Sequence, residues 1–460
     1  MFTQAKSLFK SNMLLIIISS AGFLFSLIGG IIISKVSDLI IFALIFLGAI
    51  SLFYLIYKDM DLGLGIFIGS MLLDYSVIPI FSQNASISKI IGILILGLCI
   101  LKLIIEKKVL LLHDQKSIFI GIFFLWGLFS LLYVKNIELG IARITTLFQL
   151  ILTYTIIVKI INNLNALKKV LLIVTIIGFI VCLASIIYLI KSPEIIAQNA
   201  GGSIERYGGT NDDPNMFAQN FLVIFPFFIF FYLHNSRFYI LAIIFSIFVV
   251  LSTYSRGALL GLAVMLILST PLILQIKTKR LLYILLAFSI LIFSVMFFNK
   301  NGALTTRIKS SGRGSSTQTR LELLEVAIDM GMSNYITGVG LGNFIEHSSE
   351  YGRTFHIRRE SHNGFFDVFA TLGLPGFIIF FYIIYLCIKD YWLAIRKSKL
   401  ENQEVKHLSQ FILISFIGFL ITGFFLGLIF SKMFWNLIAF SSISRHIAEN
   451  TPLKLKNQLT

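Results

Sequence analysis

The chain has 460 residues, 57% hydrophobic and 13% charged, with 45 Phe and a mean hydropathy of +0.90. Soluble domains carry about twice that charged fraction, so a water-soluble enzyme is excluded and an all-α polytopic integral membrane protein is expected. The formal net charge of +16 does not point to nucleic acid. Lys and Arg fall largely between apolar runs, where they read as a topology signal and an attraction for membrane lipids.

In chain order, the basic stretch from Met1 to Lys10 precedes an apolar run long enough to span a bilayer and without a clear cleavage site, so a first span is expected rather than a removable signal. Further runs near the spanning length place helices at 12–34, 38–57, 62–81, 87–105, 116–134, 141–161, 168–190, 215–233, 237–253, 256–274, 280–298, 362–388 and 408–428, with a shorter run at 432–444. The expected architecture is one transmembrane domain over 1–460, with about 12–14 transmembrane helices lying within about 12–298 and 362–444. A large loop occupies 299–361 and a polar tail 445–460. Cys99, Cys182 and Cys387 each sit inside an apolar run and form no disulfide or metal spacing. Gly63, Gly65, Gly69, Gly92, Gly97, Gly257 and Gly261 lie in or at the ends of spans, where small residues serve close helix packing.

With a cytoplasmic N-terminus, alternate loops hold Lys107/Lys108, Lys168/Lys169, Lys277/Lys279/Arg280 and Arg396/Lys397/Lys399/Lys406, while the opposite short loops are poor in basic residues. The bias orients the chain. It puts the 191–214 loop, the Tyr254-Ser255-Arg256 turn and the 299–361 loop on the extracytoplasmic side.

Those three segments hold most of the residues able to do chemistry. The 201–215 stretch includes Arg206, Asn211, Asp212, Asp213 and Asn215. Its Asn-Asp-Asp-Pro run suits a turn and helix cap, and its amides and carboxylates would equally suit hydroxyl-rich ligands. Arg256 lies on the side the positive-inside rule disfavours, either snorkelling to the interface or presenting a guanidinium fork to an anion. In the long loop, 318–330 reads as an amphipathic helix with Leu321, Leu324, Ile328 and Met332 on its apolar side, lying against the membrane surface or the bundle mouth. Arg320 near its start is unfavourable to the helix end, which suggests a purpose other than helix stability; a solvated face is the alternative. His362 follows Arg358, Arg359 and Glu360 and precedes Asn363 at the opening of the next span. A histidine there can be neutral near pH 7 and accept a proton. Asp74 and Arg143 lie in or at the ends of spans, as functional groups or as a structural charge pair.

The ordered set Gly208-Gly-Thr-Asn-Asp-Asp-Pro-Asn-Met-Phe-Ala218, Ser255-Arg-Gly-Ala-Leu-Leu-Gly261, Arg320 in a loop helix, Gly338-Val-Gly-Leu-Gly-Asn-Phe344, Ser361-His-Asn-Gly-Phe365 and Leu372-Gly-Leu-Pro-Gly376 resembles the O-antigen ligase and O-antigen polymerase superfamily over roughly 200–390. The chain departs from many relatives in carrying Leu323 and Leu324 where a tryptophan follows the loop arginine. The resemblance implies a GT-C-like membrane glycosyltransferase of the bacterial cytoplasmic (inner) membrane with an extracytoplasmic active site. Its donor would be an undecaprenyl-diphosphate-linked glycan and its acceptor a glycan or lipid-linked sugar, with no metal or other cofactor in the reaction. His362 would be the catalytic base and Arg256 and Arg320 the diphosphate clamp. Arg206, Asn211, Asp212, Asp213, Asn215, Arg358, Arg359 and Asn363 are further candidate substrate-binding residues. A chain-length regulator and a flippase are candidate partners, and none is a nucleic acid. Polymerisation of repeat units in surface polysaccharide synthesis is the leading expectation. The alternatives are a ligase acting on lipid A core or another acceptor, and a transporter or flippase. The transporter predicts charges along a central path and internally related halves, a pattern the one-sided polar groups do not follow.

Overall fold

A computed structural model describes residues 56–73, 87–107, 114–191, 207–209, 213–274, 315–352, 359–398 and 402–450. Two compact units are distinguished, Met1–Gly63 and Leu64–Thr460. In the first, Asp59 starts a helix: its side-chain oxygen accepts from Leu62 N at 3.2 Å. That helix, α1, runs Met60–Ser70, its residues from Leu64 onward belonging to the second unit.

Among its described residues the regular elements of the second unit are all helices, and eight helical segments are long and apolar enough to cross a membrane. Its elements are α2 (Ile87–Ile105), α3 (Gln115–Phe129), α4 (Ile137–Ile160), α5 (Leu164–Lys191), α6 (Pro214–Leu222), α7 (Phe225–His234), α8 (Tyr239–Ser252) and α9 (Arg256–Leu274), followed by α10 (Ser315–Ser333), α11 (Phe344–Tyr351), α12 (Gly364–Lys397), α13 (Gln403–Thr422) and α14 (Lys432–Asn450). The expected spans at 87–105, 116–134, 141–161, 168–190, 256–274, 362–388 and 408–428 all fall on helices. The expected spans at 12–34 and 280–298 lie outside the described residues, as does most of 38–57 and the end of 62–81. The three cysteines are free and buried, as read from the sequence.

Helices buried on all sides should be apolar all round. The α7 sequence Phe225-Pro-Phe-Phe-Ile-Phe-Phe-Tyr-Leu-His obeys this, with Phe225 through Leu233 all buried. The 215–233 stretch is not one regular helix: Pro226 has no N–H to give, and the chain breaks between α6 and α7. The Val223 carbonyl at this break is met by the Ser415 hydroxyl of α13 at 2.5 Å. Several glycines named above do permit close packing. A Cβ on Gly65 would lie 2.8 Å from Ile173, one on Gly69 2.3 Å from Ile177, and one on Gly257 2.8 Å from Phe425. Gly97 is the exception: among the described residues nothing outside its own helix lies within 4 Å of a Cβ added there.

α12 organises the unit, packing against α3, α10, α13 and α14. It too is broken, at Gly373 (φ 64, ψ −169), with Pro375 two residues on. Non-helical backbone at membrane depth is tolerated only where its polar groups find partners, and here they do. Ala370 O accepts from Val339 N at 2.9 Å, Thr371 O from Gly340 N at 2.8 Å, and Tyr335 O takes the Leu374 N–H at 2.8 Å. Trp126 of α3 donates its indole N–H to Leu372 O at 2.9 Å. The Gly338-Val-Gly-Leu-Gly segment is therefore a plug that re-satisfies the break in α12.

Near the opposite end of α12 a buried ion pair joins three helices. Lys116 Nζ of α3 donates to Asp390 Oδ2 at 2.7 Å and to the Ser441 hydroxyl of α14, and Arg445 meets the other Asp390 oxygen at 3.0 Å. The Lys116 and Asp390 side chains are 2% and 6% exposed, so removing one partner strands the other. Asp390→Ala is expected to lower stability by about 3–5 kcal/mol, read as a fall in melting temperature of the detergent-solubilised protein. A shift of only a degree or two would mean Lys116 finds other partners.

Candidate active site

At the end of the unit away from that ion pair, three segments distant in sequence come together. Arg256 is the first residue of α9. The turn before it is tight: Tyr254 has φ 50, and the Ser255 hydroxyl accepts from Ala258 N at 3.4 Å, capping the helix. α9 packs against α13 so closely that a Cβ on Gly261 would sit 2.9 Å from Thr422, and one on Gly418 2.0 Å from Met265. Those contacts fix where the α9 N-terminus points.

Arg320 comes from α10, which starts earlier than expected, at Ser315, so Arg320 stands in its second turn. The expected apolar face is corrected. Leu321 and Met332 are exposed, and the buried stripe is Leu323, Val326, Ala327 and Met330, packed with Val339, Phe344 and Ala370. α10 therefore lies on α12 and its plug. Leu323 is part of that core.

His362 stands in the turn that opens α12. Its φ of 48 is a left-handed conformation that costs a non-glycine residue roughly 1–2 kcal/mol. The turn is held on both sides. Asn363 caps α12, its side-chain oxygen accepting from Phe365 N and Phe366 N at 3.1 Å each. Gly364 N donates to Gly423 O at 2.8 Å, an approach that a Cβ, 2.7 Å from Leu428 N, would block.

Electrostatics records the convergence. Burial and the neighbouring Arg256 push the Arg320 guanidinium below its usual value, with Asp213 opposing; an arginine so shifted remains a cation. Burial and Arg320 hold the His362 imidazole below the usual 6.5, Arg359 adding to the effect and Glu360 and Asp213 opposing it. The neutral ring is thereby favoured, and the cations that act on it are Arg320 and Arg359.

The other candidates divide. Asp213 is the N-cap of α6, accepting from Asn215 N at 2.7 Å and Asn215 Nδ2 at 2.9 Å, so the capping reading of this stretch holds while the Asp213 charge still reaches Arg320 and His362. Asn363 spends its oxygen on a cap. Arg359 is exposed and donates its backbone N–H to the Ser348 hydroxyl at 2.9 Å. Arg206, Asn211, Asp212, Arg358 and Asp74 lie outside the described residues. Arg143 of α4 sits with its guanidinium carbon 4.8 Å from the Phe430 ring centroid, and its charge acts on Asp367. Sequence reading passed over Asp367, although an acidic residue inside an apolar run is itself a signal.

The loop carrying these groups is latched to the α3–α4 turn. Asn343 is fully buried and exchanges bonds with the Asn136 backbone, accepting from its N at 2.7 Å and donating to its O at 3.1 Å. Tyr133 donates its hydroxyl to Thr337 O at 2.7 Å. Lys135 and His347 bind Glu350 of α11 and hold that carboxyl below its usual range.

Residues 240–381 match the family described as O-antigen ligase. The matched segment contains Arg256, Arg320, the plug, His362 and the break in α12. The chain is also 25% identical over 330 residues to the teichuronic acid biosynthesis protein TuaE of Bacillus subtilis (strain 168), covering 66% of each chain, just under two thirds of that relative's length. The resemblance to the O-antigen ligase and polymerase superfamily read from the ordered motifs is borne out by both.

Proposed function

We propose that this protein is a membrane glycosyltransferase that joins undecaprenyl-diphosphate-linked oligosaccharide units at the extracytoplasmic face of the cytoplasmic membrane, in the synthesis of a surface polysaccharide. The observation that carries the reading is the meeting of Arg256, Arg320 and a neutral His362 at one end of the bundle. The match to the O-antigen ligase family and the relative named for teichuronic acid biosynthesis support a glycan-building enzyme.

The chemistry follows from those groups. An acceptor hydroxyl attacks the anomeric carbon of the donor from the side opposite the diphosphate, so the new C–O bond forms with inversion. The anomeric C–O bond to phosphate breaks, and its electron pair leaves with the lipid diphosphate. The hydroxyl proton passes to the His362 imidazole. Arg256 and Arg320 meet the charge that grows on the leaving diphosphate, as pre-oriented electrostatic stabilisation, and Arg320, already facing another cation, gains most when a dianion arrives between them. Arg320→Ala is expected to lower the rate by about 10²–10³-fold, and Arg320→Lys to recover only part of that because it lacks the fork.

Polymerisation is the leading form, and a ligase is the second reading, which the description of the matching family supports. Purified protein given the lipid-diphosphate oligosaccharide alone should yield a ladder if it polymerises. A single unit added to a second acceptor would identify a ligase. No transfer under either condition would overturn the glycosyltransferase reading.

A further inference from the structure

The end of the bundle that carries Arg256 also holds a row of aromatic rings that the chemistry above does not use. Tyr188, in the last turn of α5, lies on Tyr207 with ring centroids 5.7 Å apart and planes 33° apart. Tyr207 meets Phe217 of α6 edge to face at 5.8 Å, and Phe217 lies 5.7 Å from Phe221. The inner rings are fixed. Phe217 and Tyr207 are 3% and 7% exposed, and Gly209 passes so close to the Phe217 ring that a Cβ would fall 2.4 Å from its Cζ. Tyr188 differs: Tyr207 backs it, yet it is 49% exposed.

The row stands level with the arginine. α6 and α7 make up one spanning segment, and α8 packs back on α7, with Phe231 against Tyr239 at 5.6 Å across the turn. α9 therefore runs in the same direction as α6. The two touch at Leu222, whose Cδ1 would lie 3.3 Å from a Cβ on Gly261. Phe217 and Arg256 each stand five residues before that contact, so at 1.5 Å per residue both lie about 7.5 Å from it, at one depth. A diphosphate held at Arg256 presents its sugars from that depth outward, while its hydrocarbon chain lies deeper. A half-exposed ring on a rigid backing suits a sugar there, because the negative face of an aromatic ring attracts polarised C–H groups such as those of a pyranose.

We propose that Tyr188, backed by Tyr207, is a stacking subsite for a sugar ring of the lipid-diphosphate glycan. This role rests on the glycosyltransferase reading above, and adds a residue that senses the glycan rather than the diphosphate.

The test titrates the full-length protein in lipid nanodiscs with two probes. One is the lipid-diphosphate oligosaccharide extracted from cells that make this protein, the other undecaprenyl diphosphate without sugar. Tyr188→Ala should weaken binding of the first by about threefold to tenfold and leave the second within about twofold. Tyr188→Phe and Tyr188→Trp, which keep a ring, should match the parent with both probes. In transfer assays Tyr188→Ala should raise KM for the oligosaccharide by the same factor with kcat little changed, the mark of binding that is equal in ground and transition states. Equal weakening of both probes by Tyr188→Ala overturns the proposal, because a tyrosine that only anchors α5 at the membrane surface does not distinguish them. Unchanged binding of the sugar-bearing probe also overturns it. A Tyr188→Phe variant as weak as alanine would assign the contact to the hydroxyl and overturn stacking. A parent that binds neither probe overturns the glycosyltransferase reading itself. A parent that binds both probes equally overturns the subsite alone.

Discussion

His362→Ala is expected to lower glycosyl transfer by about 10²–10⁴-fold in kcat, the usual worth of a positioned general base, with KM little changed. Alanine also removes a side chain from a residue with φ 48, so a loss of activity could reflect a loosened turn. His362→Asn separates the two effects. Asparagine tolerates the left-handed conformation better than most residues yet cannot take a proton near neutral pH, so it should keep the fold and be as inactive as alanine. An asparagine variant with near-parental rate would remove His362 from the chemistry. The pH profile gives a second readout. The base works when neutral, and burial and Arg320 hold its pKa below 6.5. The rate should therefore be flat at pH 7–8 and fall on acidification, with the midpoint of the limb below 6.5. Arg359→Gln removes one of the cations that depress it, so the midpoint should move upward. A limb centred above 6.5 in the parent would contradict the site's electrostatics.

How much of this was legible in the sequence depended on which interactions were local. Helix positions followed from run length, and among the described residues they were mostly right. The ordered motifs picked out Arg256, Arg320 and His362 because polar groups in so apolar a chain are conspicuous. The face of α10 was not legible. Leu321, Leu324, Ile328 and Met332 form a helical stripe, but so do Leu323, Val326, Ala327 and Met330, and only the partner surface on α12, with its small Ala370, selects the second. The break in α12 was written in Leu-Gly-Leu-Pro-Gly, yet its compensation by Val339, Gly340 and Trp126 joins residues far apart along the chain.

Gly338→Ala is expected to be among the most damaging single-methyl changes in the chain. Gly338 has φ 68, and a Cβ there would lie 2.3 Å from Thr371 C, 2.5 Å from Leu372 N and 2.5 Å from Thr371 O. These are backbone atoms of a packed helix, so no rotamer change relieves the overlap. The left-handed conformation alone costs roughly 1–2 kcal/mol. Displacing the plug would also strand the Ala370 and Thr371 carbonyls, at about 1–3 kcal/mol each. The sum is on the order of 5 kcal/mol, enough to unfold a marginally stable protein. Gly97→Ala is the internal control: it lies inside α2, and among the described residues nothing beyond its own helix lies within 4 Å of the added Cβ, while alanine favours helix by about 1 kcal/mol over glycine. Size-exclusion profiles and melting temperatures in detergent should separate the two, with Gly338→Ala aggregated or strongly destabilised and Gly97→Ala unchanged or slightly improved. Equal melting temperatures would mean the plug does not carry the break in α12. A milder substitution in the plug that still folds becomes informative in another way. α10 brings Arg320 and α12 brings His362, and the plug is where these two helices are bonded. Its loosening should reduce transfer while every residue of the proposed clamp and base remains in place.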